Sequence, residues 1–191
     1  MTENKQLTII VPSYKDIRII AAIKSIRVLD DQNAVKVLII DGDSGSEFCD
    51  SVRAYLNEDD VIISEPDEGI FDALNKGLDA VTTPYIGWLG SDDFFSGVVK
   101  SSEIIAYLND FDLFIGDLVI FSGNKINRRT FSWFSRSRLP IKLGIHNPHY
   151  ATFGRASTLK KYRFLTSNKA ADIGYFLKVF SDDIKVKTTN R

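Results

Sequence analysis

Cysteine is nearly absent from this sequence, since Cys49 is the single cysteine among 191 residues. One cysteine cannot form an internal disulfide, and no second thiol is present to complete a cysteine-rich zinc site. A reducing compartment suits such a chain, so we expect a cytoplasmic location. The N-terminus MTENKQLTII lacks the basic segment and long apolar stretch of a signal peptide, and no run approaches roughly 18 apolar residues. The sequence therefore predicts neither a signal peptide nor an integral membrane segment.

An excess of charge of one sign is also missing, because 24 basic residues nearly balance 25 acidic ones. A formal net charge of -1 gives no general attraction to nucleic acid or to an anionic membrane. We therefore expect no nucleic-acid partner and recognition of any ligand by local groups. The hydrophobic fraction of 44% and the charged fraction of 26% are typical of a folded globular domain.

Several nucleotide-binding and hydrolytic motifs are missing. No GxGxxG follows the first predicted strand and no GxxxxGK[ST] occurs, which removes the main support for a dinucleotide oxidoreductase or a P-loop protein. The segment GDSGS (42–46) lacks the final glycine of the G-x-S-x-G serine elbow, so a hydrolase of that type is not indicated.

The first half of the chain alternates two hydrophobic periods. Short apolar runs, rich in β-branched or aromatic residues, predict strands that are buried on both faces. Segments with helical spacing of apolar residues separate these runs, and Ile70, Leu74 and Leu78 form one such face. This alternation indicates right-handed βαβ units and a parallel sheet. The predicted strands are 7–11, 35–40, 61–64 and 85–89, and the predicted helices lie in 16–29, 47–57 and 69–81.

The character of the sequence changes after residue 110. Segments 111–121 and 126–134 flank the turn-like SGNK and predict a hairpin or an antiparallel extension of the sheet. Two short helical patterns follow, around 155–164 and 169–180. The fold class is therefore α/β with a mixed, mostly parallel sheet.

Acidic and hydroxyl side chains follow each predicted strand of the first half. Ligands bind beyond the carboxyl ends of such strands. The adjacent carboxylates Asp92 and Asp93 repel each other and resist burial, so a cation, a donor or solvent must compensate them. Mg²⁺ and Mn²⁺ suit this rim, since one or two carboxylates plus substrate phosphates usually hold them. Turn and cap roles remain the alternative, above all for Asp43 and Asp67. The rim residues are Ser13, Tyr14, Asp41, Asp43, Glu65, Asp67, Asp92 and Asp93.

Four segments carry a family resemblance. TIIVPSYKD, VLIIDGDSGS, SEPDEGIFDALNKGLDAVTTPYIGWLGSDDFF and NPHYATFGRASTL…AADIGYFLKVF resemble, in this order, bacterial family 2 glycosyltransferases of colanic acid, O-antigen or capsule biosynthesis. The most specific part runs from 64 to 95. The resemblance implies a three-layer α/β/α GT-A fold of nucleotide-diphospho-sugar transferases. It also implies a single domain over 1–191, with a donor half (1–95) and an acceptor half (96–191) that is short at its C-terminus.

The resemblance also implies roles for individual residues of the donor half. Asp41 contacts the donor's base, and the loop of residues 12–14 lines the same pocket. Asp93 binds the Mn²⁺ or Mg²⁺ ion, while Asp92 holds ribose or sugar hydroxyls. The donor-binding residues implied in this way are Pro12, Ser13, Tyr14, Asp41, Asp67, Asn75, Lys76, Ser91 and Asp92.

On the acceptor side, the resemblance implies that Asp172 is the general base of an inverting displacement. Ile173 and Gly174 depart from the Tyr-Asp that many relatives carry there, which weakens the local support. His149 matches a histidine that faces the diphosphate, the metal or the acceptor, and a structural histidine is the alternative. The sequence gives less support for a functional role of His146 than for one of His149. Trp133 and Phe134 either stack on a sugar ring or belong to the core.

The predicted function is metal-dependent transfer of a sugar, most simply from a UDP-sugar, to a saccharide or lipid-linked acceptor in cell-envelope polysaccharide synthesis. Peripheral contact with the inner face of the membrane is compatible with that acceptor. The alternative is a nucleotide-sugar-binding domain without turnover. A nucleotidyltransferase is disfavoured, because PSYKDIR (12–18) contains no glycine. The sequence indicates no oligomeric state.

Overall fold

The computed structural model describes residues 5–122, 125–130, 149–168 and 170–189. A seven-stranded sheet with the strand order β3-β2-β1-β4-β8-β5-β9 runs through these residues, and β6 and β7 form a separate two-stranded ribbon. The strands are β1 (Leu7–Ser13), β2 (Val35–Asp41), β3 (Val61–Ser64), β4 (Tyr85–Trp88), β5 (Leu113–Ile115), β6 (Leu118–Ser122), β7 (Lys125–Arg129), β8 (Thr152–Arg155) and β9 (Val186–Thr188).

Helices connect the strands and cover both faces of the sheet. None of the helices in the described ranges is long and apolar enough to cross a membrane. A single-turn 3-10 helix, His149–Ala151, leads directly into β8. The α-helices are α1 (Ile19–Leu29), α2 (Ser46–Arg53), α3 (Ile70–Ala80), α4 (Ser101–Asp110), α5 (Ala156–Leu159) and α6 (Ala171–Val179).

Side chains of the strands alternate between two hydrophobic clusters. In β1, Ile10 packs into the cluster formed with α3, α5 and α6, whereas Ile9 and Val11 pack into the cluster formed with α1, α2 and α4. Successive side chains of a strand point to opposite faces, so a strand covered on both sides must be apolar throughout. The layers are therefore helix, sheet and helix, as the resemblance implied.

The strand pairing confirms the mixed, mostly parallel sheet. β1 pairs parallel with β2 and β4, β2 pairs parallel with β3, and β5 pairs parallel with β9. Within this seven-stranded sheet of the described residues, β8 alone runs antiparallel to its neighbours, β4 and β5. The four strands and three helices predicted in the first half are all present, and the third strand has the predicted bounds.

The structure departs from the sequence predictions in several elements. The pattern analysis missed α4, β8 and β9, and Ile70 begins α3 but is 44% exposed, so the buried face of that helix starts with Ala73 and Leu74. The predicted hairpin is present as β6 and β7, with Phe121 opposite Ile126, but it is separate from the main sheet. Residues 131–134 of its second predicted strand lie outside the described residues.

A helical glycine controls how closely α3 approaches β1. A methyl group built on Gly77 would lie 2.5 Å from Cγ2 of Ile10, which is fully buried. Overpacking of this kind costs about 1–3 kcal/mol, more than the ~1 kcal/mol of helix propensity that alanine adds. We expect Gly77→Ala to lower the free energy of unfolding by up to about 2 kcal/mol in urea denaturation.

Gly174 in α6 provides the matched control, because a methyl group there would meet nothing within 4 Å. Gly174→Ala should therefore raise the free energy of unfolding by about 0.5–1 kcal/mol. If both substitutions changed the free energy of unfolding in the same direction, the packing argument would be contradicted.

Candidate active site

The loops that follow β1, β2 and β3 are joined by one buried carboxylate. Asp41, the last residue of β2, is 0% exposed. It accepts hydrogen bonds from the backbone N–H and the hydroxyl of Ser44 at 2.8 and 2.5 Å, and from the hydroxyl of Ser64 at 2.7 Å. The Ser44 hydroxyl oxygen also accepts the backbone N–H of Lys15 at 2.7 Å. Asp41 thus holds the three loops in place, and a direct contact with a nucleotide base stays a prediction.

Tyr14 and Asp67 lie on either side of Gly42 at the same edge of the sheet. A methyl group on Gly42 would lie 3.3 Å from Cδ2 of Tyr14 and 2.8 Å from Oδ2 of Asp67. Tyr14 is 61% exposed, so much of its surface is accessible to a ligand. The hydroxyl of Ser13 is buried and has no hydrogen-bond partner within the described part of the chain. Tyr14 and Asp67 therefore approach each other closely at Gly42, where there is no side chain between them.

Pro12, Asn75 and Lys76 have contacts inside the protein. Pro12 is buried in β1, opposite Ile40. The amide of Asn75 donates to the carbonyl of Phe164 at 3.0 Å and accepts the N–H of Phe164 at 2.9 Å.

Lys76 donates to the carbonyl of Pro66 at 2.7 Å and lies 3.0 Å from the carboxylate of Glu65, whose hydrogen bond raises the lysine pKa. Asn75 therefore fastens the segment around Phe164 to α3, and Lys76 fastens the β3–α3 loop. Donor contacts of both residues stay predictions.

Asp92 and Asp93 converge on the turn that follows β4. The N–H of Asp93 donates to the carbonyl of Gly90 at 3.1 Å. A methyl group on Gly90 would lie 2.7 Å from Oδ2 of Asp93 and 3.2 Å from Oδ1 of Asp92. Burial, followed by the charge of Asp92, raises the pKa of Asp93, and the nearby His149 and Arg18 only partly oppose this effect. We call Asp92 and Asp93 the carboxylate pair.

The loop after β1 reaches the carboxylate pair through two residues that the sequence analysis missed. The hydroxyl of Ser91 donates to Asp16 at 3.2 Å. Asp16 also accepts hydrogen bonds from the guanidinium of Arg18, which lowers the pKa of the carboxyl. Nη1 of Arg18 lies 3.6 Å from Oδ2 of Asp92. The sequence did contain a signal for Arg18, because it is a basic residue in a strand-end loop next to the acidic rim.

The structure brings His149 and Asp172 to the same site. Nδ1 of His149 lies 3.4 Å from Oδ2 of Asp172, and this contact holds the pKa of Asp172 below its usual range. Burial and the charges of Asp93, Asp92 and Asp172 raise the pKa of the Tyr150 phenol well above its ordinary value. The phenol therefore lies within electrostatic range of all three carboxylates.

Tyr150 was also missed, although it directly follows His149. The reason for this convergence is the direction of β8: it pairs antiparallel with β4, so the residues before β8 lie beside those that follow β4.

Three other residues singled out from the sequence fall in a part of the chain that the structure does not describe. His146, Trp133 and Phe134 lie outside the described residues. Two basic residues near β8 make internal contacts. The guanidinium of Arg155 donates to the carbonyls of Asn109 and Phe111, and the ammonium of Lys160 donates to the carbonyl of Val81.

In the described ranges, no group of three or more His, Cys, Asp and Glu side chains is placed to hold a metal ion. The carboxylate pair alone nevertheless fits Mg²⁺ or Mn²⁺, since phosphates and water usually complete such sites.

Two solved structures share the fold over nearly the whole chain. S. aureus TarS in complex with UDP-GlcNAc superposes with a TM-score of 0.69 at 15% identity, over 97% of this chain and 59% of that chain. The mannosyltransferase PcManGT from Pyrobaculum calidifontis, in complex with GDP-Man and Mn²⁺, gives a TM-score of 0.68 at 15% identity, over 98% and 55% of the two chains. At this identity the similarity shows the fold, which is the GT-A fold.

Sequence comparison extends the relationship to the family. A Mycobacterium bovis protein named PGL/p-HBAD biosynthesis glycosyltransferase is 27% identical over 157 residues, which are 77% of this chain and 59% of that protein. The chain thus spans less than two thirds of this relative's length. Residues 8–167 match the family described as glycosyl transferase family 2. This match covers most of the sequence, and the chain belongs to glycosyl transferase family 2.

Proposed function

We propose that this protein transfers a sugar from a nucleotide-diphosphate donor to an acceptor hydroxyl, with Mn²⁺ or Mg²⁺ as cofactor. The observation that supports this proposal most strongly is the convergence of the carboxylate pair with His149 and Asp172. This arrangement would place an anionic, metal-bound leaving group next to a carboxylate that can accept a proton. Family membership agrees with this chemistry, as do the nucleotide-sugars bound by the two structural neighbours.

The donor half, residues 1–95, would hold the nucleotide at the loops after β1, β2 and β3. The exposed ring of Tyr14 suits stacking against a base, and the hydroxyl of Ser13, which has no hydrogen-bond partner among the described residues, can bond to a polar ligand atom. Asp67 lies close to Tyr14 at Gly42 and would contact the same ligand. UDP is the first nucleotide to test because one neighbour binds UDP-GlcNAc, and GDP follows because the other binds GDP-Man.

The carboxylate pair would hold the divalent ion. Asp93 is the better ligand, because its raised pKa reflects a negative charge that the protein itself leaves largely uncompensated. Asp92, with a side chain 54% exposed, remains able to accept hydrogen bonds from sugar hydroxyls. A bound ion would offset the charge that develops on the departing diphosphate.

Asp172 would act as the general base from the acceptor half, residues 96–191. As the acceptor oxygen bonds to the anomeric carbon, its proton passes to Asp172. The bond between that carbon and the diphosphate oxygen breaks, and the nucleoside diphosphate leaves. The lowered pKa keeps Asp172 ionised at neutral pH, so its carboxylate is able to accept the proton while His149 contacts Oδ2. A single displacement from the face opposite the leaving group would invert the anomeric configuration.

The acceptor that we propose is a saccharide or a lipid-linked saccharide of cell-envelope polysaccharide synthesis, at the inner face of the membrane. A nucleotide-sugar-binding protein without turnover is the alternative function. It needs the same donor site and differs only in what Asp172 does.

Donor binding can be tested by calorimetric titration with UDP, GDP and dTDP, each with Mn²⁺ and with EDTA. We expect metal-dependent binding of one nucleotide, because its diphosphate completes the coordination that the carboxylate pair begins. Asp93→Asn should weaken this binding by about 10- to 100-fold. Binding of none of the three nucleotides, or equal binding by the variant, would contradict the proposed donor site.

The general base can be tested by Asp172→Asn, which keeps the shape of the side chain but cannot accept the proton. We expect the rate of sugar transfer, or of donor hydrolysis with water as acceptor, to fall by about 10²–10⁴-fold. Affinity for the nucleotide should not change. Asp50→Asn, which alters an exposed carboxylate on α2, is the matched control. If Asp172→Asn turns over donor at the original rate, Asp172 is not the base.

Asp93 should also lower the stability of the metal-free protein. Its pKa is raised in the folded state, so the folded protein favours the protonated carboxyl, and stability falls as pH rises through that pKa. In EDTA at pH 7, Asp93→Asn should therefore raise the midpoint of thermal unfolding, and the difference should shrink on acidification.

Asp182→Asn provides the opposite control. Lys161 and Tyr162 hold the pKa of Asp182 below its ordinary value, so its ionised form contributes stability that is lost as pH falls. This variant should have a lower midpoint at pH 7. A lower midpoint for Asp93→Asn as well would show that Asp93 is a structural carboxylate.

A further inference from the structure

Arg18 lies beside the carboxylate pair and has no role in the function proposed above. It immediately precedes α1, in the loop that leaves β1. Its side chain is 65% exposed, and Nη1 lies 3.6 Å from Oδ2 of Asp92. The charge of Arg18 also acts on Asp93, where it lowers the pKa.

Asp16 holds this guanidinium in a defined place. Nε and Nη2 of Arg18 donate to the two carboxylate oxygens of Asp16 at 2.9 and 2.7 Å, and the backbone N–H of Arg18 donates to the same carboxylate at 3.0 Å. The hydroxyl of Ser91, directly before the carboxylate pair, donates to Asp16 at 3.2 Å. The arginine is thus fixed relative to the carboxylate pair, while Nη1 makes an ion pair and no hydrogen bond within the described residues.

The charges at the site create a need for this cation. The carboxylate pair carries as much negative charge as a divalent ion carries positive charge, so the ion alone leaves the charge of a bound diphosphate uncompensated. Guanidinium groups bind phosphate oxygens through charge-assisted hydrogen bonds.

The lysines at this edge of the sheet contact groups other than the carboxylate pair. Lys76 bonds to Pro66 and Glu65, and the ammonium of Lys15 lies over the ring of Tyr14, 5.0 Å from its centroid. Among the lysines and arginines of the described residues at this edge, Arg18 is the one whose charged group lies beside the carboxylate pair.

We propose that Arg18 binds the diphosphate of the donor through Nη1 and stabilises it as the leaving group. The proposal rests on the donor site described above. In the free protein the guanidinium lies against Asp92 and partly offsets its charge. In the complex it contacts a phosphate oxygen as well, while Asp16 keeps it within reach.

The test separates the diphosphate from the nucleoside. UDP and uridine are titrated calorimetrically in the presence of Mn²⁺ into the wild-type protein, Arg18→Ala and Arg53→Ala, with GDP and guanosine as the probes if only the guanine nucleotide binds. Arg53 is the matched control, since it is 56% exposed and pairs with an aspartate nearby in sequence, as Arg18 does.

We expect Arg18→Ala to weaken binding of the nucleoside diphosphate by about 10- to 100-fold, the effect of losing a hydrogen bond to a charged group. Binding of the nucleoside should stay within about twofold, which also shows that the variant is folded. Arg53→Ala should bind both probes as the wild type does.

Equal loss of nucleoside and nucleoside-diphosphate binding in Arg18→Ala would show that Arg18 only supports the loop, and unchanged binding of both would exclude a contact with the diphosphate. Either result overturns the role of Arg18 and leaves the donor site standing. Failure of the wild-type protein to bind any nucleoside diphosphate would overturn both proposals.

Discussion

The antiparallel insertion of β8 between β4 and β5 is the constraint on which the candidate active site depends. In the parallel part of the sheet, every strand ends at the same edge, and the loops that follow carry the acidic rim. β8 runs the other way, with Phe153 opposite Gly87, so the residues that precede it lie at that edge. His149 and Tyr150 thereby lie beside the carboxylate pair, and His149 in turn contacts Asp172 at the start of α6. A parallel strand in this position would place them at the opposite edge.

The polar groups of the site differ in how fully the protein satisfies them. Asp41 is completely buried and is surrounded by donors, so it contributes order to the loops. Asp93 lies close to a second carboxylate, and burial makes its charge unfavourable. The carboxylate stays in this unfavourable position because the hydrophobic core on both faces of the sheet fixes the turn that follows β4. A cation that binds there relieves the repulsion, which is why such a carboxylate suits ligand binding better than structural support.

Sequence patterns predicted the first half of the fold well and the second half less well. Strands such as β1 and β2 are covered on both faces, and their continuous apolar runs are distinct from the helical spacing of α1 and α3. β8 and β9 are short, and their positions follow from pairing with strands distant in sequence rather than from a local pattern. The same distinction applies to the site. Asp92 and Asp93 stand out as adjacent charges after a buried strand, whereas Arg18 and Tyr150 resemble ordinary surface or core residues until their neighbours are known.

The sequence by itself determined the α/β class and the acidic edge of the sheet, because these follow from local periodicity and from side chains adjacent in the chain. Its match to glycosyl transferase family 2 determined the family. Only the tertiary structure decided which charges meet. It paired Asp172 with His149, placed Arg18 against Asp92, and gave Asn75 and Lys76 internal partners. Electrostatic and hydrogen-bond energies depend on distances of a few ångströms between residues far apart in sequence, and the direction and register of strands such as β8 set those distances.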